Sequence, residues 1–140
     1  MTDVYRVDVE LAAPVFPTEV TARVVDAVEN LFPNADIEES HGEIRGEAHS
    51  LDHLSELLHR QEILDTARGE FFGNREGEDT FTFALKKGAA FQSRVNFSVG
   101  EPDELGEITV RVRVHEPGIE EYVDHVAPPT EGGRPIDPEA

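Results

Sequence analysis

The chain has 140 residues, 38% of them hydrophobic, with eight Phe and no Cys, which suits one domain around one core and excludes disulfides, thiolate metal sites and a cysteine nucleophile. Thirty Asp and Glu stand against twelve Lys and Arg, a formal net charge of −18. No run of about 18 apolar residues is present to span a bilayer, and Thr2 to Glu10 alternate polar and apolar instead of forming a charged-then-apolar leader, so a soluble, cytoplasmic protein is expected.

Tyr5, Val7, Val9 and Leu11 alternate with Arg6, Asp8 and Glu10, the period of a strand with one buried face, and Pro14 and Pro17 end it. Thr18 is placed to cap a helix carrying the stripe Val20, Val24, Val28 and Leu31, with Arg23, Asp26 and Glu29 outside and Phe32-Pro33-Asn34 as the stop. Ile37 and the segment 42–49 read as a weaker strand pair turning at His41 and Gly42. Ser50 is placed to cap the next helix, whose stripe is Leu51, Leu54, Leu57 and Leu58. A second stripe, Ile63, Leu64, Ala67 and Phe71, is rotated from the first by more than ~90° at ~100° per residue, so one straight helix cannot bury both. A break near Arg60 to Glu62 is therefore predicted, with Gly73-Asn74 and Gly77 closing the helical region.

Thr80 to Lys86 turns Phe81, Phe83 and Leu85 inward, and Arg94 to Val99 does the same with Val95, Phe97 and Val99. The two segments are expected to pair through a turn at Lys87 to Ala90. Ile108, Val110, Val112 and Val114 give the clearest strand. From Pro117 onward five of the nine Pro gather; Ile119 to Val126 is expected as a short docking helix, and 127–140 as a disordered acidic Pro/Gly-rich tail outside a single α+β domain of residues 1–126.

The acid is spread along the chain, as in a salt-adapted, halophilic protein: in molar salt the Debye length falls to ~3 Å, which screens self-repulsion while the carboxylates hold water. An acidic interaction or mimic protein at ordinary salt is the alternative. One interval departs from this pattern. Thr80 to Gly100 holds no carboxylate and sums to +3, whereas Met1 to Asp79 sums to −13 and Glu101 to Ala140 to −8. On the strand faces turned away from Phe and Val stand Thr80, Thr82, Lys86, Arg94, Asn96 and Ser98, continued by Thr109, Arg111, Arg113 and His115. Phosphate and sugar are bound by such hydroxyls, amides and cations, and carboxylates repel them. Equally, strand lysines discourage edge-to-edge aggregation, and Arg111 or Arg113 could pair across strands with Asp8 or Glu10.

Several segments together resemble an archaeal family of uncharacterised RNA-binding-like domains. They are Pro17-Thr18-Glu19 before a valine-rich helix ending Leu31-Phe32-Pro33, the run from Arg60 to Arg68, the turn Lys86 to Phe91 followed by Arg94-Val95-Asn96-Phe97, and Leu105-Gly106-Glu107-Ile108. The resemblance spans about Val4 to Val114. It implies a mostly antiparallel sheet with helices packed on one face, like the 5S-rRNA-binding ribosomal protein, together with homodimers and no established activity or catalytic residues. The family turn carries an Asn and a Gln where this chain has Lys86 and Gly88, which leaves Lys87 as the matching position.

His41, His49, His53 and His59 lie close in sequence, but His49 precedes the Ser50 cap and no zinc-hydrolase spacing is present, so they read as surface residues. Asp65 and Arg68 read as a local ion pair. The reading is then a non-enzymatic, salt-adapted protein that binds structured RNA, with no cofactor or metal. Lys86, Lys87, Arg94, Asn96, Arg111 and Arg113 are its expected contacts. The alternatives are an assembly homodimer without nucleic acid, or a metal-dependent enzyme using the His41–His59 region.

Overall fold

The computed structural model describes residues 5–100 and 106–131 and the backbone of 134–135. Six antiparallel strands form one sheet in the order β2-β3-β1-β6-β5-β4. They are β1 (Arg6–Pro14), β2 (Asp36–Ser40), β3 (Glu43–Ala48), β4 (Arg75–Glu76), β5 (Thr80–Lys86) and β6 (Glu107–Glu116). The central pair, β1 and β6, joins segments about a hundred residues apart, Val9 facing Val112 and Leu11 facing Val110. Strict alternation explains why one face is sealed: Val7, Val9, Leu11 and Ala13 of β1 and Ile108, Val110, Val112 and Val114 of β6 are all buried.

The helices α1 (Thr21–Leu31), α2 (Asp52–Arg60), α3 (Leu64–Gly73), α4 (Lys87–Ala90) and α5 (Ile119–Val126) add their apolar residues to that same core. Four Phe form its densest part, with Phe71 5.1 Å from Phe81, 4.9 Å from Phe83 and 6.0 Å from Phe97 between ring centroids. The expected α+β architecture, with helices on one face of an antiparallel sheet, is what the chain adopts. Among the described residues no helix is long and apolar enough to cross a membrane.

The predicted break holds. α2 ends at Arg60, α3 begins at Leu64, and Glu62 between them takes φ of 58°. Each helix then turns its own stripe inward, and Leu54, Leu57, Leu58, Leu64, Ala67 and Phe71 are all buried. In the β2–β3 hairpin, Gly42 supplies φ of 73° at the expected turn. Gly46 leaves room for Leu11: a Cβ there would lie 2.6 Å from Leu11 Cδ1, so that buried side chain would have to shift.

Both expected helix caps shift. α1 starts at Thr21 with extended Val20 before it, so Thr18 caps nothing and Val20 is 59% exposed instead of heading the stripe. Glu19 organises this corner, its Oε1 accepting from the Phe16 amide at 3.0 Å. At α2 the cap position is Leu51. The Ser50 hydroxyl still accepts from the Asp52 amide at 3.0 Å, and the Leu51 amide donates to the buried Tyr122 hydroxyl at 3.1 Å.

α5 docks as expected, burying Ile119, Tyr122, Val123 and Val126, and the Ser55 hydroxyl donates to the Val126 carbonyl at 2.6 Å. Arg68 is not paired with Asp65: it reaches Asp124 of α5 at 2.6 Å, while Asp65 accepts from the Thr130 hydroxyl. Both residues of the supposed local pair therefore tie the C-terminal segment to α3. Half of the expected tail, 132–133 and 136–140, lies outside the described residues. Within them Ala127 is buried, and β7 (Thr130–Glu131) pairs with β8 (Arg134–Pro135).

Candidate nucleic-acid interface

The face of the sheet away from the helices is open and concave, enclosing about 1070 Å³ between β2 on one side and Glu70, Asn74 and the segment 98–100 on the other. Strand register decides what lies there. β5 and β6 set Thr80 against Arg113, Thr82 against Arg111 and Ala84 against Thr109, so these residues do share one side of the sheet. β1, however, pairs on the opposite edge of β6 and sets Asp8 against Arg113 and Glu10 against Arg111.

Carboxylates therefore stand among the cations. Arg111 Nη2 lies 3.5 Å from Glu76 Oε2, and Arg113 Nε donates to Asp79 Oδ2 at 3.2 Å. A hydrogen bond from the Thr80 hydroxyl, helped by Arg113, holds the Asp79 carboxyl below its usual range. The concavity as a whole is acid-lined, with Glu10, Asp36, Glu38, Glu47 and Glu70 against Arg45 and Arg111. The expectation of a cationic face without anions is thus corrected: the cross-strand alternative, Asp8 and Glu10 beside Arg113 and Arg111, is the register observed, and Glu76 of β4 and Asp79 just before β5 add their carboxylates.

Lys87 requires the largest correction. The expected turn is the short helix α4, which carries this side chain to the core side, where it has no exposed surface. Its Nζ donates to Glu19 Oε1 at 2.5 Å and to the Pro14 carbonyl at 2.7 Å and sits 4.6 Å from the Phe16 ring centroid. A buried, fully partnered ammonium offers nothing to a phosphate. No local pattern marks this pairing, since Glu19 lies 68 residues before Lys87 in the chain.

Arg94 to Val99 does not form the expected full strand. Only Leu85 and Phe97 make a bridge, flanked by hydrogen bonds of 2.8 Å from the Lys86 amide to the Asn96 carbonyl and from the Ser98 amide to the Ala84 carbonyl. The Gln61 side chain explains why pairing stops: its Nε2 donates to the Val95 carbonyl and its Oε1 accepts from the Val95 amide, both at 2.8 Å. Val95 and Phe97 remain buried, but Val99 is turned out, 68% exposed on the rim of the concavity.

Lys86, Arg94 and Asn96 are left at this edge. Lys86 is half-buried and stands against Glu107 in the ladder; Arg94 and Asn96 are exposed. Among the described residues neither Lys86 nor Arg94 has an ion-pair partner. Phe91, 38% exposed, follows α4 next to them in the chain.

On the opposite flank, across β3, β1 and β6, lies a group that sequence reading missed. His115 Nε2 is 2.7 Å from Asp8 Oδ2, and His49 Nδ1 is 3.3 Å from Asp8 Oδ1. The His115 hydrogen bond and the nearby imidazoles lower the Asp8 carboxyl below its ordinary value, against a smaller opposing effect of burial.

This sheet and its covering helices define an α+β domain class that comparison with known proteins makes specific. A family model described as RNA binding matches residues 8–115, which contain β2 to β5 whole and nearly all of β1 and β6. The chain belongs to this family, whose archaeal members here carry the name UPF0201. It is 35% identical over 138 residues to the UPF0201 protein of Aeropyrum pernix, covering 94% of this chain and 91% of that one. A UPF0200/UPF0201 protein of Archaeoglobus fulgidus is 41% identical over 132 residues, 94% of this chain; the chain spans 40% of that relative's length. The crystal structure of the UPF0201 protein from Methanococcus jannaschii superposes with a TM-score of 0.84 at 35% identity, covering 93% of this chain and 99% of that chain.

Proposed function

We propose that this chain is a non-enzymatic RNA-binding protein adapted to high salt, which meets structured RNA at the sheet edge formed by Lys86, Arg94 and Asn96. The observation that carries the reading is the family match over residues 8–115. The local chemistry supports this edge over the middle of the sheet. Lys86 and Arg94 fall in the interval without carboxylates, and phosphate would not have to displace a described partner there. Arg111 and Arg113 are secondary contacts, because each must exchange a carboxylate for phosphate.

In molar salt the counterion-release contribution that dominates most nucleic-acid binding is largely erased, so hydrogen bonding and stacking must supply affinity. Asn96 offers the first and the half-exposed Phe91 ring the second. The homodimer implied by the family resemblance belongs to this reading, and light scattering across protein concentration tests it.

The direct experiment is binding of structured RNA in molar KCl by the double variant Lys86→Glu with Arg94→Glu. Loss of two charge-assisted contacts is expected to weaken binding at least ~10-fold while the unfolding midpoint stays unchanged. Parent-like affinity would count against this edge. Absence of crosslinked RNA from cells held at native salt would count against RNA as the ligand.

A further inference from the structure

We propose that Asp8, Glu47 and His49, on the open face where β1 meets β3, form a binding site for one zinc-type divalent metal ion, with His115 of β6 fixing Asp8 from the other side. Single carboxylate, imidazole and carboxylate atoms of Asp8, His49 and Glu47 all lie within 4.8 Å of one another. All three residues have side chains open to solvent, so an ion can reach them.

The separation of His49 Nδ1 from Asp8 Oδ1, 3.3 Å, matches the ligand-to-ligand edge of a tetrahedron with metal bonds of ~2.0–2.1 Å, which is ~3.3–3.4 Å. The ion would lie beyond that edge, toward Glu47. His49 Nδ1 is also 3.3 Å from the Val7 carbonyl, so without metal its proton can be shared between two oxygens. Metal binding removes that proton from Nδ1 and leaves the ring in the Nε2–H form.

His115 does a different job. It holds Asp8 Oδ2 at 2.7 Å, an imidazole–carboxylate contact of the kind that orients ligating groups, and leaves Oδ1 for the ion. Arg113, the register partner of Asp8, would compete for that carboxylate, but its Nε is engaged by Asp79. Glu10 and Glu47, register partners on β1 and β3, add negative charge close by, which a dication offsets. Asp8, Glu47 and His115 sit on three hydrogen-bonded strands and His49 follows β3 directly, so the backbone that carries the groups is in place before any ion arrives. An imidazole nitrogen among the three ligand atoms favours the zinc end of the divalent series over Mg²⁺ or Ca²⁺, which prefer all-oxygen sites.

A chain of this net charge also gathers cations diffusely, so the test uses Zn²⁺ against excess Mg²⁺ in concentrated KCl, where diffuse binding is competed away. Titration calorimetry on the full chain is expected to show one Zn²⁺ per chain. His49→Ala should weaken it at least ~10-fold and His115→Ala by a comparable or smaller factor, with His41→Ala as the parent-like control. Circular dichroism on each variant confirms that the fold is kept, and the His49 and His115 ring resonances are expected to shift on Zn²⁺ addition while that of His41 does not. Absence of stoichiometric Zn²⁺, equal affinity in His49→Ala, or a shift confined to other histidines would overturn the site. None of these outcomes depends on RNA.

Discussion

Lys87 Nζ lies 2.5 Å from Glu19 Oε1 and 2.7 Å from the Pro14 carbonyl, with the lysine side chain wholly and the glutamate side chain largely withdrawn from water. This contact closes the corner where the β1 exit, the start of α1 and the end of β5 meet. Removing one member of such a pair leaves an uncompensated charge in a poorly hydrated place, which costs ~3–5 kcal/mol, whereas replacing both members with apolar residues of similar volume is often neutral or stabilising. Glu19→Leu or Lys87→Met alone is therefore expected to lose about that much stability. The double replacement should recover most of it, as read by denaturant unfolding of all three at one salt concentration.

Gln61 and Val95 give a second, independent prediction. The Gln61 amide substitutes for a strand partner at Val95 and couples the α2–α3 break to the segment beside β5. Gln61→Leu removes two hydrogen bonds and leaves the Val95 amide without its acceptor, at a cost of roughly 1–3 kcal/mol. Hydrogen exchange at the Val95 amide should accelerate more than at the buried amides of β1, and equal acceleration everywhere would show that Gln61 acts only on global stability.

Tyr122 sets an alkaline limit. Its buried hydroxyl accepts from the Leu51 amide, and burial pushes its pKa up to about 12. An ordinary tyrosine in the unfolded chain titrates near ~10. The folded state therefore holds the proton more tightly: stability is unaffected below about pH 10 and declines as pH rises from there toward the folded value. Near-ultraviolet titration of tyrosinate should show a step close to 12 that Tyr122→Phe removes. A tyrosinate step near 10 for this residue would mean that α5 is not docked as described.

Much of the fold was legible because it follows from local periodicity. Alternation marked β1, β5 and β6. The phase shift between the Leu51–Leu58 and Ile63–Phe71 stripes placed the break near Arg60 to Glu62, because stripe angle is a property of the helix alone. Partner choice was not legible. The conflicting cases, Lys87 against Glu19, Arg111 against Glu76 and Arg68 against Asp124, all involve charges separated by more than thirty residues. Arg94 to Val99 looked like a strand because Val95 and Phe97 do alternate. A single glutamine from another element was enough to stop the ladder.

By itself the sequence determined the class of this protein: an acidic α+β domain with one acid-free interval and one sealed sheet face, since charge totals and hydrophobic periods are carried residue by residue. Only the tertiary structure decided which charges meet. Antiparallel register brings Asp8 and Glu10 beside Arg113 and Arg111, places His49 and His115 on one carboxylate, and buries Lys87. Electrostatic interaction depends on distance in space, and strand pairing makes neighbours of residues about a hundred positions apart.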